Sequence, residues 1–190
     1  MQERKLLIVD DEPSVLSTLQ DILMAEGYEI ETASSGQEAL RKMEIFPAEI
    51  VLSDYMMPGM DGIELLKQIK QSYPHIIPIL LTGRGDFKIS FKAINKGEIF
   101  RFLLKPWNIE ELNMTLHTAL RYYDLILEND KLAKTVKKQN SFLEEIEKRY
   151  PVITEINEED DGTIHIEDED CEDVKFLVEN ILMAPIALSY

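Results

Sequence analysis

The chain has 190 residues, 45% of them hydrophobic, enough for one ordinary domain core plus an appendage, which excludes a wholly disordered protein. A formal net charge of -16 argues against a nucleic-acid-binding surface, because phosphate affinity comes from clustered Lys and Arg. The single cysteine, Cys171, rules out an intramolecular disulfide and a Cys-based zinc cluster, and no uninterrupted apolar stretch reaches membrane-spanning length.

Met1 to Lys5 runs straight into an apolar segment, leaving no room for a signal peptide, so the expected compartment is the cytoplasm. Leu6 to Val9 is a short apolar run ending in Asp10-Asp11. Glu12 and Pro13 open a helix through Met24, with proline in the tolerated first turn and Gly27 as the stop. Tyr28 to Thr32 predicts a second strand, and Ser34 or Ser35 caps a helix through Met43. After Pro47 comes the stretch around which the chain is organised, an Ile- and Val-containing run that stops at Asp54 and gives way to Pro58, Gly59 and Gly62. Asp61-Gly62 starts a helix over 63–73, and Ile76 to Leu81 forms a fourth strand running into Thr82-Gly83. Asp86 begins a helix through Asn95 that Gly97 closes, and Ile99 to Leu104 delivers Lys105-Pro106-Trp107.

Strand and helix alternate five times through short connections, which implies an α/β fold with a five-stranded parallel sheet covered by helices on both faces. Strand ends carry Asp10-Asp11, Asp54, Thr82 and Lys105, so these residues converge on the carboxyl edge, where such sheets place their chemistry.

The helix that begins near Ile109 continues beyond what this fold needs. With Tyr122 as heptad position a, the a/d series reads Tyr122, Leu125, Asn129, Leu132, Val136, Gln139, Leu143, Ile146, Tyr150. Apolar residues fill most of it, and Asn129 is the type of single polar residue that sets register, although Ile126, Ala133 and Phe142 stand where e/g charges are expected. Pro151 ends the helix. The alternation around Asp161-Gly162 predicts a β-hairpin, and residues 172–183 predict a short amphipathic helix carrying Val174, Leu177, Val178 and Ile181. Residues 151–174 contain no Lys or Arg. The expected organisation is thus a domain over 1–125, a helical extension with coiled-coil character over 126–149, and an acidic α+β unit over 150–190. The spacing of Asn157, Glu159 and Asp161 approximates a calcium loop, but Pro151-Val-Ile-Thr is no entering helix.

Two adjacent carboxylates beside a third make a hard-oxygen site suited to Mg²⁺, or to Mn²⁺. A metal also relieves the mutual repulsion of such acids. A phosphoryl group arriving at Asp54 would have its charge shared by the metal, the Lys105 ammonium and the Thr82 hydroxyl, with Asp54 as the carboxylate nucleophile.

These residues resemble the receiver domain of two-component response regulators. The match rests on Asp10-Asp11, Asp54 with Met57-Pro58-Gly59-Met60-Asp61-Gly62, Thr82-Gly83, and Phe102 three residues before Lys105-Pro106, and covers roughly residues 4–125. The resemblance implies the flavodoxin-like (βα)5 fold and a phosphorylation-controlled switch. It implies phosphate transfer to Asp54 from a sensor histidine kinase or a phosphotransfer protein, with Mg²⁺ held by Asp11, Asp54 and the Met56 backbone carbonyl and by Asp10 through water. Thr82, Lys105 and Phe102 would report the phosphorylated state, and the fourth helix, fifth strand and fifth helix would form the output surface. Met56 and Arg84 occupy positions that tune dephosphorylation in the family. Such a protein takes and slowly sheds its own phosphoryl group and is not an enzyme for outside substrates.

The stretch from Ala93 to Trp107 is similar to receivers that precede HD-GYP phosphodiesterase domains, yet the chain has no His-Asp pair and no Gly-Tyr-Pro. Output is therefore expected through protein contacts or through a homodimer formed by residues 109–150, without DNA or membrane, unless the chain is a fragment of a longer regulator. The competing class is a phosphohydrolase with an Asp nucleophile. That type wants its second Asp two residues after the nucleophile on the first strand, where this chain has Glu12.

Overall fold

Short runs of Ile, Val and Leu bounded by Gly, Pro and Asp become strands because burial on both faces repays a continuous apolar sequence. In the computed structural model, which describes residues 4–83 and 92–149, they are β1 (Arg4–Val9), β2 (Tyr28–Ala33), β3 (Ile50–Asp54), β4 (Ile77–Thr82) and β5 (Arg101–Leu104). The helices are α1 (Pro13–Ala25), α2 (Gly36–Ile45), α3 (Gly62–Ser72), α4, whose described part is 92–95 while the expected start at Asp86 lies outside the described residues, and the long α5 (Ile109–Arg149). All strands pair in parallel in the order β2-β1-β3-β4-β5. This is the doubly wound flavodoxin-like arrangement, whose ligand crevice opens between β1 and β3 where the strand order reverses.

Side-chain alternation along the strands builds two cores. Leu7, Val9, Val51 and Leu80 face the side covered by α2 and α3. Leu6, Ile8, Leu52 and Leu103 face the side covered by α1 and α5, where Leu112, Leu116 and Ala119 complete the packing. The helix ends follow local chemistry. Ser35 accepts a hydrogen bond from Glu38 N at 3.3 Å, and Asp61 accepts one from Glu64 N at 2.8 Å, satisfying backbone donors that the first turn leaves open. The hydroxyl and backbone N–H of Ser34 both donate to Glu38, which with Lys42 nearby is held down to about 2.

The boundaries depart from expectation in one informative place. The apolar pattern begins the last strand at Ile99, but pairing with β4 begins at Arg101, opposite Ile79. The bond from Phe100 N to the Pro78 carbonyl precedes that ladder, so hydrophobicity alone overstates the strand.

Two compact units make up the chain, Met1–Lys131 and Leu132–Tyr190. In the first, Arg4 donates to both oxygens of Asp124 on α5, at 3.0 and 2.8 Å, and to Glu49 at 3.3 Å. His75 Nε2 lies 3.1 Å from Asp130. The described part of the second unit is the helix over 132–149. The proposed hairpin and short helix fall outside the described residues, as do the heptad positions Ile146, as a side chain, and Tyr150.

Two buried side-chain oxygens on α5, Asn113 Oδ1 and Thr115 Oγ1, lack a hydrogen-bond partner among the described residues. Thr115 is fully buried. Thr115→Val keeps the branched shape and removes the unpaired group, so it is expected to stabilise the fold by about 1 kcal/mol. A urea melt that moved the midpoint downward would refute this.

Candidate functional site

The strand register assembles the site. Val9 pairs with Ser53, so the next residues along β1 and β3, Asp10 and Asp54, lie side by side at the carboxyl edge. On the other flank Asp54 pairs with Leu81, one residue before Thr82, and Thr82 pairs with Leu104, one residue before Lys105. Tyr55 N donates to the Leu81 carbonyl at 2.8 Å, and Lys105 N donates to the Thr82 carbonyl at 2.8 Å, tying the three strand ends together.

Lys105 Nζ sits between the two acids, 2.7 Å from Asp10 Oδ2 and 2.6 Å from Asp54 Oδ1. Both carboxylates are buried. Asp10 Oδ1 also accepts from Glu12 N at 2.9 Å, fixing the carboxylate plane, whereas α1 itself starts at Glu12 without a side-chain cap. Asp10 is therefore a pocket residue and not the cap of α1.

One ammonium faces two carboxylates, and that imbalance governs the electrostatics. Burial draws the Lys105 ammonium down, but its bonds to Asp10 and Asp54 outweigh this and raise it, so it stays charged. Burial pushes the Asp10 carboxyl up against the pull of Lys105 and Glu12 N, and the Asp54 charge adds to the rise. Asp10 thus carries the deficit of positive charge. The folded carboxyl holds its proton more tightly than the unfolded one, so it favours folding below the ordinary value of about 3.9. That contribution is lost as pH rises through the raised value. A further cation would cancel the cost.

The remaining candidates fall into two groups. Thr82, at the end of β4 opposite Leu104, is fully buried, and its hydroxyl makes a long 3.4 Å contact with the Gly83 carbonyl. Met56 is exposed beside the pocket, and Asp11 is exposed. Phe102 is half-buried against the α2–α3 core, paired in register with Leu80. Arg84 lies outside the described residues.

No group of three or more His, Cys, Asp or Glu side chains placed to hold a metal occurs among the described residues. Asp10 and Asp54 nevertheless form a two-carboxylate cradle already closed on one cation, the Lys105 ammonium. Those hard carboxylate oxygens are the kind of donor that Mg²⁺ takes.

Sequence reasoning did not identify what Gly62 does. It is buried at the start of α3 and donates its N–H to the Tyr55 carbonyl at 2.9 Å, and a Cβ there would collide with the Asp54 carbonyl oxygen. Its place after the cap Asp61 is the local signal, but the neighbour it must clear is visible only in three dimensions.

A family model described as the response regulator receiver domain matches residues 6–117. Among curated proteins, the DNA-binding transcriptional regulator NtrC of Klebsiella pneumoniae is 37% identical over 123 residues, which is 65% of this chain and 26% of that protein. The alkaline phosphatase synthesis transcriptional regulatory protein PhoP of Bacillus subtilis is 34% identical over 118 residues, 62% of this chain and 49% of that protein. The chain therefore spans a quarter to a half of the length of these relatives. Among solved structures, the signal receiver domain of an HD domain-containing protein from Pseudomonas fluorescens superposes with a TM-score of 0.61 at 38% identity, covering 65% of this chain and 98% of that one. A receiver domain protein from Clostridium thermocellum gives a TM-score of 0.62 at 33% identity, with coverages of 65% and 98%.

Proposed function

The chain belongs to the response regulator receiver domain family, and on that premise we propose that Asp54 accepts a phosphoryl group from a sensor histidine kinase or phosphotransfer protein. The observation that carries this reading is the grip of one ammonium on two carboxylates at the switch point of the sheet. A carboxylate so placed is fixed in direction, shielded from bulk water and poised beside the positive charge that an incoming phosphoryl group needs.

In the proposed reaction an Asp54 oxygen attacks phosphorus, and the P–N bond of the donor breaks with its electron pair leaving on the imidazole nitrogen. The product is an acyl phosphate. Water later cleaves it, returning the carboxylate and inorganic phosphate. Asp11, Asp54 and the Met56 carbonyl, with Asp10 through water, would hold Mg²⁺, which would supply countercharge for the phosphoryl oxygens. Lys105 holds the acceptor and then a phosphoryl oxygen. Thr82 is the hydroxyl nearest that position along the strand ends, and Phe102, on the strand that leads to Lys105, follows its movement. The chain acts on itself as a switch, without turnover of outside substrates, and its output passes through protein contacts or association of α5. The chain serves this role by itself or as one part of a longer regulator, as its share of the relatives' length allows.

Incubation with acetyl phosphate and Mg²⁺ is expected to add one phosphoryl group per chain, with uptake lost on chelation. Borohydride reduction should convert residue 54 to homoserine, detected by peptide mass spectrometry. A label on another residue, or uptake indifferent to chelator, would sink the proposal.

A further inference from the structure

We propose that Arg4 latches residues 121–130 of α5 to the amino edge of the sheet, through one guanidinium shared by Asp124 on the helix and Glu49 at the entry to β3. The latch lies wholly within the first compact unit, Met1–Lys131, and stands apart from the phosphoacceptor reading.

Packing alone holds this stretch thinly. Leu120 is the last buried residue of α5 among the described ones, and beyond it only Tyr123 and Ile126 pack, partly buried, against the core under α1 and α5. Arg4 adds a hold of another kind. Its Nη1 donates to Asp124 Oδ1 at 3.0 Å and its Nη2 to Oδ2 at 2.8 Å, a two-pronged fit of guanidinium to carboxylate that a lysine cannot make. The same Nη1 donates to both Glu49 oxygens, at 3.3 and 3.4 Å.

Glu49 makes this more than an ordinary surface pair. Its backbone is fixed between strands, the N–H donating to the Lys5 carbonyl and the carbonyl accepting from Ile77 N, each at 2.9 Å. Its side chain is 16% exposed, and burial pushes the carboxyl up while Arg4 draws it down. Glu49 therefore orients the guanidinium before Asp124 meets it, which reduces the side-chain entropy loss that usually cancels such a pair. Placement gives the latch its reach. Arg4 begins β1, which leads to Asp10, and Glu49 leads into β3, which ends at Asp54. One guanidinium thus ties α5 to both strands that carry the buried acids, at the edge opposite the pocket. A second, single contact follows on the helix, His75 Nε2 at 3.1 Å from Asp130. The side chains of Arg4 and Asp124 are 35% and 50% exposed, so salt reaches the latch and weakens it.

Hydrogen–deuterium exchange of the full chain, read peptide by peptide, tests this. Asp124→Asn keeps the size of a part-exposed side chain and so keeps the fold. It is expected to speed exchange over 121–130 about fivefold, the upper end for a part-exposed ion pair, while β3 and β4 keep their rates. Raising the salt should bring the unaltered chain toward the same rates and change the variant little. Arg4→Lys keeps the charge and loses the fork, and should speed the same stretch. Glu29→Gln removes a different ion pair, Lys5 with Glu29 at 3.6 Å, and should leave 121–130 as it was. Four results overturn the proposal: an unchanged rate in Asp124→Asn, an unchanged rate in Arg4→Lys, equal acceleration by Glu29→Gln, or acceleration spread evenly over the domain, the mark of a general loss of stability.

Discussion

Asp54→Ala is expected to reduce phosphoryl uptake from one group per chain to none while the fold stands. The acceptor oxygen is removed outright, and no neighbour can replace it at the same point, since Asp10 is held by Lys105 and by Glu12 N. Loss of a buried ion-pair partner usually costs about 3–5 kcal/mol, because it strands the opposite charge. Here the charge is not stranded. Lys105 keeps Asp10 at 2.7 Å, and the repulsion that Asp54 imposes on Asp10 disappears. The backbone pairing of residue 54 with Leu81 does not need the side chain. The net change in stability is therefore expected to stay within about 1 kcal/mol, in the range of weakly coupled pairs. Mass spectrometry after acetyl phosphate treatment and a paired urea melt check both halves. Surviving uptake would move the acceptor elsewhere, and an unfolded variant would show that the charge accounting is wrong.

Gly62→Ala is expected to destabilise the domain by about 3 kcal/mol, at the upper end of overpacking costs, and to impair phosphate uptake with it. The added methyl would overlap the Asp54 carbonyl oxygen and lie 2.9 Å from its carbon and 3.0 Å from Leu80 Cδ1. Two of these three atoms are backbone and cannot rotate away. Relief requires α3 to retreat from β3, which breaks the bond from Gly62 N to the Tyr55 carbonyl and shifts the peptide that aims Asp54. Gly36→Ala supplies the control. The obstacle there is the Met60 side chain, with Sδ at 2.8 Å, and a flexible thioether can swing aside. Its cost is offset by the higher helix propensity of Ala, about 1 kcal/mol over Gly, so near-neutral stability is expected. If both variants melted alike, the close approach of α3 to Asp54 would not be the reason for glycine at 62.

Much of this molecule was legible in its residues because the relevant forces act between near neighbours in the chain. Val9, Leu52 and Leu81 end apolar runs where Asp10, Ser53-Asp54 and Thr82-Gly83 interrupt hydrocarbon, and that contrast needs no fold to be seen. Gly27 and Gly97 close helical segments with φ of +88° and +70°, a conformation that side chains resist. Ser35 and Asp61 cap helices through bonds to the residue three positions on. The strand alternation then implies a parallel sheet whose carboxyl edge gathers Asp10, Asp54, Thr82 and Lys105.

Other features were beyond local reading. The first paired residue of β5 depends on where β4 lies, so Ile99 and Phe100 look like strand and are not. The place of Phe102, opposite Leu80 and against the α2–α3 core, depends on a neighbouring strand and could not be read from its own segment. The bonds from Arg4 to Asp124 join residues 120 positions apart, with no pattern in either segment to announce them. What the amino-acid order determined by itself was the fold and the gathering of Asp10, Asp54, Thr82 and Lys105 at one sheet edge, since each follows from spacing along one chain. What only the tertiary structure decided was that one Lys105 ammonium spans both acids, that Gly62 must clear the Asp54 carbonyl, and that the apolar a/d residues of α5 lie exposed among the described residues. These are distances between elements, and packing alone sets them.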